Sequence, residues 1–231
     1  MKKFVSDVLK NISPILQSLP FDSLLYAKQE TNISSILSSY GNQMLGNTIS
    51  EYYRTEYNKV DIGRISNGKL YFACECKYLY TSDINEYGTI GGYGYAVGKT
   101  LQNLKGKQVN YVEYELLKAF EQIANYTKSM QADNKLVLIN LICAPYGTNG
   151  KNVSNSGIKY FDAKSQRSNY DATLIQNAGW KPLPNTVDAK IRQFPILRKI
   201  YPTLNLKFEK VTPLRSLLGF DYYIITIAYK A

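Results

Sequence analysis

A chain of 231 residues is the length of one ordinary domain with a modest appendage, which excludes two full enzymatic domains. Hydrophobic residues make up 45% and charged ones 20%, with only 15 Gly and 8 Pro, so the chain can bury a core and is neither disordered nor a fibrous repeat. The net charge of +10 is uneven: residues 1–150 carry 15 basic and 13 acidic side chains, and residues 151–231 carry 13 and 5.

An imbalance of that kind suits a polyanion, because Lys and Arg that meet phosphates release condensed counterions. The absence of His removes Ser-His-Asp and Cys-His nucleophiles, His metal ligands and His proton shuttles. Cys74, Cys76 and Cys143 are odd in number and lack CxxC spacing, which supports neither a disulfide framework nor a Cys-only zinc site and suits a reducing cytoplasm. Residues 1–20 start basic, but Asp7, Lys10 and Asn11 interrupt the apolar stretch that a signal peptide needs. With no long apolar run elsewhere, the expectation is a cytoplasmic chain that does not enter a membrane.

In chain order, Phe4, Val5, Val8, Leu9 and Ile12 predict a short amphipathic helix broken at Pro14. Ile33, Ile36, Leu37, Tyr40, Met44 and Thr48 fall at helical spacing and predict a helix over about 32–57, with Gly41 and Gly46 as weak points. Glu51 continues that row, a carboxylate on an inward stripe. Val60 to Ile65, the turn Ser66-Asn67-Gly68-Lys69 and Leu70 to Tyr80 predict a hairpin, since Asn-Gly supplies the positive φ angles of a tight turn. In its second strand, period two places Tyr71, Ala73, Glu75, Lys77 and Leu79 on one face and Leu70, Phe72, Cys74, Cys76 and Tyr78 on the other.

The Gly- and Tyr-rich stretch 81–110 predicts a long loop or irregular β excursion, and its GTIGGYGYAVGK lacks the register of a P-loop. Val112, Leu116, Ala119, Phe120, Ile123, Thr127 and Met130 predict a helix over 111–130, flanked by Glu115, Lys118, Gln122 and Tyr126. LVLINLICA, 136–144, has the unbroken apolarity of a central strand covered on both faces. Residues 145–180 predict a long loop region. A helix starting near Asn185 or Thr186 and ending before Pro195 follows, and strands over about 206–212 and 222–229 close the chain. The order implies an α/β or α+β fold: a mixed central sheet flanked by helices.

Glu51, then Asp61 in the first hairpin strand, then Glu75-Cys76-Lys77 in the second form one constellation. It resembles the PD-(D/E)xK nuclease superfamily, most closely its Type II restriction endonucleases. The resemblance rests on Asp61, thirteen intervening residues and Glu75-x-Lys77 after the apolar LYFAC, and it extends to the helix bearing Gln122 and the strand LVLINLICA. It covers roughly residues 33–144, and Val60 stands where the motif's Pro would be. It implies a restriction-endonuclease-like core with extra C-terminal strands.

The residue types suit that chemistry. Phosphodiester hydrolysis is helped by a cation that neutralises the phosphate and acidifies water, and carboxylates are the ligands for Mg²⁺, with Mn²⁺ as a substitute. Asp61 and Glu75 on paired strands supply two such oxygens, and Lys77 shares the strand face of Glu75. The resemblance implies that the Cys76 carbonyl is a further ligand, with Glu51 at a metal-coordinated water or a second metal and Gln122 in support. An isolated Glu-x-Lys on a strand is ordinarily a solvated pair; here it follows an interior-looking strand and arrives with Asp61 across a hairpin.

One domain is therefore expected, with an N-terminal helical arm over 1–30, a catalytic core over 31–144 and a basic DNA-recognition and core-completing region over 145–231. In the last, Lys159, Lys164, Gln166, Arg167 and Asn169 offer donors for phosphates and base edges. The expected activity is Mg²⁺-dependent hydrolysis of double-stranded DNA by a homodimer, since palindromic sites match two-fold protein symmetry. A structure-selective or repair nuclease and a non-catalytic nucleic-acid-binding module stay open as alternatives.

Overall fold

The computed structural model describes residues 1–21, 24, 30–57, 59–80, 87–89, 99–128, 134–142, 184–217 and 220–231. The Asn67-Gly68 turn sets the frame: at φ 49° and 75° these two residues reverse the chain between β2 (Val60–Ser66) and β3 (Lys69–Tyr80). On one side of this hairpin lies β1 (Glu51–Tyr57), antiparallel to β2, and on the other lies β6 (Lys135–Ile142), parallel to β3. The C-terminal hairpin of β7 (Asn205–Leu217) and β8 (Phe220–Lys230) completes a six-stranded sheet in the order β1-β2-β3-β6-β8-β7. The parallel pair needs a crossover. It contains a small second sheet of β4 (Tyr87–Thr89) and β5 (Gln108–Asn110), the short α3 (Lys99–Gln102), and α4 (Tyr111–Tyr126). This is a mixed α+β fold.

The period-two expectation for β3 holds. Phe72, Cys74, Cys76 and Tyr78 bury into one core layer, and Ala73 and Leu79 into the other. The first layer is closed by the N-terminal segment and by α2 (Glu30–Met44), the second by α4, α5 (Pro184–Ile191) and α6 (Pro195–Ile200). Phe4 packs between Tyr53 and Phe72 in tilted contacts, with ring centroids 5.6 and 4.9 Å away, so the arm packs into the core. Pro14 does not break its helix. It sits in the first turn of α1 (Ile12–Gln17), where a missing N–H costs nothing. Pro195 likewise opens α6 at the N-terminal position that suits proline. In the buried part of β6, Asn140 is the polar residue, and its side-chain oxygen accepts from the Thr226 hydroxyl at 2.9 Å on the paired strand.

The predicted helix over 32–57 is corrected. α2 ends at Met44, because Gly46 takes φ 72° and closes a Schellman motif: the Gly46 amide donates to Gln43 and the Asn47 amide to Asn42, both at 3.0 Å. EYYRTEY, with three Tyr and one Thr, then runs as strand β1. Asn42 ties the two elements together by donating to the Tyr53 carbonyl at 2.9 Å and accepting from its amide at 2.5 Å, which satisfies main-chain groups on an edge strand. Gly41 permits the contact, since a Cβ there would lie 2.6 Å from the Tyr53 ring.

Candidate active site

Asp61 sits where the sheet loses its regularity on both sides. Toward β1, the ladder passes from Thr55↔Ile62 to Tyr57↔Val60 without a pair at Glu56, which takes φ 53° while the register stays the same. Toward β3, pairing runs up to Ile62↔Cys74 and includes neither Asp61 nor Val60. The freed edge of β3 is taken by carboxylates. The Cys76 amide donates to Asp61 Oδ2 at 2.6 Å, and the Tyr78 amide donates to Glu30 Oε1 at 3.3 Å, so two side chains stand where a strand would have continued. A residue's N–H and C=O point to the same side of an extended strand, so the Cys76 carbonyl opens on this edge too.

Glu75 and Lys77 alternate with those amides. Both are buried, at 2% and 4% exposure, and Lys77 Nζ lies 3.2 Å from Glu75 Oε1 and 3.7 Å from Glu30 Oε2. Among the described residues, the second Glu75 oxygen, Oε2, is buried with no hydrogen-bond partner. Burial pushes the Glu75 carboxyl up to about 7, with Lys77 restraining the rise and Asp61 adding to it. Burial also raises Asp61, and the Cys76 amide and Lys77 pull it back. Burial alone would lower Lys77, but Glu75, Glu30 and Asp61 more than offset it and push its ammonium above the ordinary range. Lys77 is therefore a fixed cation, able to donate to an anion or hold a water, and unable to accept a proton near neutrality.

The structure brings Asp61, Glu75 and Lys77 together, and it separates Glu51 from them. Glu51 opens β1 opposite Ser66 and pairs with Arg64, so it reaches neither Glu75 nor Lys77 and the role expected for it at this site is withdrawn. The helical carboxylate of the site is Glu30, at the first turn of α2, which sequence reasoning missed. An acidic residue at a helix start is a favourable pattern. Nothing local, however, connects Glu30 with a lysine 47 positions later.

From α4, Glu115 adds to the negative field at Lys77, and Tyr126 meets Lys59 with its ring centroid 5.7 Å from Nζ. The helix flank that carries these two residues also carries Gln122, whose buried Oε1 has no hydrogen-bond partner among the described residues. Cys76 turns its thiol into the core, 4.0 Å from that of Cys74, so only its main chain faces the site. Lys159, Lys164, Gln166, Arg167 and Asn169 lie outside the described residues, as does Cys143.

The donor set fits a hard divalent cation in kind: the Asp61 carboxylate, the buried partnerless Oε2 of Glu75 and the edge carbonyl of Cys76 are all oxygen ligands. Among the described residues, no three Asp, Glu or Cys side chains form a metal-holding group, so the carbonyl would have to complete the set. Comparison of the chain with family models, with curated proteins and with solved structures finds no match. Among the described residues, no helix is long and apolar enough to cross a membrane.

Proposed function

We propose that the chain is a metal-dependent endonuclease that hydrolyses double-stranded DNA, a sequence-specific enzyme of the restriction type acting as a homodimer in the cytoplasm. The observation that carries this reading is the broken ladder at Asp61, where two carboxylates cap the freed edge of β3 beside a buried Glu75 oxygen that lacks a partner. Asp61, Glu75 and the Cys76 carbonyl would hold Mg²⁺ or Mn²⁺. Such an ion supplies the Lewis acidity that polarises a phosphoryl oxygen and acidifies water. Lys77 contributes its ammonium, held charged by three carboxylates, to orient a water or a phosphate oxygen. Glu30 fixes Lys77 and the strand edge from the side of α2. The order of helix, hairpin, helix and parallel central strand supports this reading, with strand β1, which bears Glu51, inserted between the first helix and the hairpin.

Charge supports DNA as the substrate. Even without residues 145–183, the C-terminal stretch 184–231 holds 8 Lys and Arg against 3 Asp and Glu. The test is incubation of the purified chain with phage DNA and Mg²⁺, followed by mapping of the cut ends. Discrete, repeated cut positions support the restriction reading, and cutting confined to junctions or ends replaces it with a repair nuclease. Binding without metal-dependent cleavage would leave a nucleic-acid-binding module. Mn²⁺ should replace Mg²⁺, and Ca²⁺ should permit binding with little cleavage, because its looser coordination sphere misplaces the water.

A further inference from the structure

At the opposite end of β3 the sheet carries a second charged feature. Tyr71 lies four residues from Glu75 along the strand, about 13 Å away at the rise of an extended chain. It borders a cleft of about 620 Å³ into which Lys2, Lys3, Lys207 and Lys230 converge from the N-terminal segment, β7 and β8. The floor includes Arg64 of β2, which is only 3% exposed. One of its terminal nitrogens donates to Glu51, its Nε is buried with no hydrogen-bond partner among the described residues, and its guanidinium carbon lies 5.8 Å from the centre of the Tyr71 ring.

Among the described residues that line the cleft, Lys2, Lys3, Lys207 and Arg64 share one carboxylate, and Lys230 adds a further cationic side chain, an arrangement that an anion relieves. A guanidinium pinned on one side by Glu51 presents the rest of its fork in a fixed direction, the geometry that suits phosphate oxygens. A single phosphate would leave most of the volume empty, whereas the cleft falls within the size range of sites for cofactor-sized ligands. At its wall the Tyr71 ring is 48% exposed, a large aromatic face available to a flat partner.

We propose that this cleft binds a nucleotide unit, with its phosphates on Arg64 and the converging lysines and its base against Tyr71, the unit being either a free nucleotide or part of a single strand. This stands independently of DNA cleavage at Asp61. It is tested by calorimetric titration of the full-length Asp61→Ala variant in metal-free buffer, which keeps the first site from contributing. The ligands are a nucleoside triphosphate, its nucleoside, inorganic triphosphate and a short oligothymidylate.

The nucleotide, the oligothymidylate or both should bind, with affinity falling as salt rises, while the nucleoside alone should not. Inorganic triphosphate should bind at least about tenfold more weakly than the nucleotide that carries the same phosphates. Lys3→Ala together with Lys207→Ala, both exposed and tolerable to the fold, should weaken every phosphate ligand by roughly tenfold or more. Tyr71→Ala should weaken the base-bearing ligands and leave inorganic triphosphate unchanged. Tight binding by the free nucleotide would identify a small-molecule site, and binding by the oligothymidylate alone a strand site. The proposal falls if no phosphate compound binds, or if inorganic triphosphate equals the nucleotide and Tyr71→Ala changes nothing.

Discussion

The two ends of the β2–β3 hairpin each bury a cation against a carboxylate, and they do opposite things with it. At the Asp61 end, Lys77 is outnumbered by Glu75, Glu30 and Asp61; at the turn end, Arg64 and its lysine neighbours outnumber Glu51. The first environment is short of positive charge and suits a cation, and the second has too much of it and suits an anion. The backbone differs in parallel. Arg64 pairs with Tyr53 on one side and Phe72 on the other, while Asp61 has lost its partner on both sides. An ion pair on a residue paired to both neighbouring strands, even next to the register shift between Arg64 and Ile65, can serve as a fixed wall. The same chemistry at a broken ladder leaves carbonyl and carboxylate oxygens for something else to use.

The sharpest way to break this comparison is to remove a carboxylate at the opened edge. Asp61→Ala and Glu75→Ala should each lower DNA cleavage on the order of 10³-fold or more, as expected for residues that hold the cation, while circular dichroism shows the fold retained. Either variant cutting at the normal rate would misassign the site. Lys77→Ala should reduce the single-turnover rate more than DNA affinity, because its ammonium acts at the reacting atoms. A large binding defect with an unchanged rate would move Lys77 to the binding surface.

Acidity gives a second test, with a defined sign. The folded-state pKa of Glu75 lies at about 7, above its ordinary value of 4.5, so the folded chain holds a proton there that the unfolded chain releases. Its contribution to stability is full below about pH 4.5 and is lost as pH rises toward 7, by at most about 1.4 kcal/mol per unit. Asp61, also raised by burial, acts in the same direction from a lower starting point. Thermal unfolding followed from pH 4.5 to 8 should show this decline, and Glu75→Gln should flatten it. A wild-type profile that instead rises across this window would place Glu75 in a more polar setting. Cation affinity should run the other way, increasing as Glu75 gives up its proton.

Much of this site was legible in the sequence because its parts are local. Asp61, Glu75 and Lys77 lie within one hairpin, Asn-Gly fixes its turn, and period two decides which side chains share a face. The strand LVLINLICA and the apolar stripe of α4 were equally plain. What failed was the assignment of the helical carboxylate. Glu51 falls in register with Ile33, Leu37 and Met44, and that register hid the stop that Gly46 imposes through a backbone conformation, which side-chain periodicity does not report. Glu30 reaches Lys77 only because α2 packs on the sheet, a tertiary fact with no local signature. The positive φ at Glu56 and the opened ladder are likewise properties of how the strands meet, and no single strand's pattern contains them.

Glu30→Gln therefore tests the corrected assignment. It keeps an oxygen able to accept from the Tyr78 amide but removes a charge that holds Lys77, and should lower cleavage by roughly 10- to 100-fold with DNA binding little changed. An unchanged rate would confine Glu30 to capping the strand edge.

The smallest effect on cleavage belongs to the residue that the sequence favoured. Glu51→Gln leaves Arg64 buried with a weaker partner, at a cost of about 1–3 kcal/mol in stability as an under-satisfied charged group. Lowered thermal stability is the expected mark of the variant. Glu51 and Asp61 lie on adjacent strands but at opposite ends of them, since Glu51 pairs with Ser66, five residues along β2 from Asp61 and about 17 Å away at the rise of a strand. At that separation and with no shared partner, the two positions should act independently, so the cleavage rate of the folded variant should stay within about twofold of wild type. A loss comparable with that of Glu30→Gln would mean that the two ends of the hairpin are coupled. Wall and site would then have to be treated as one electrostatic unit.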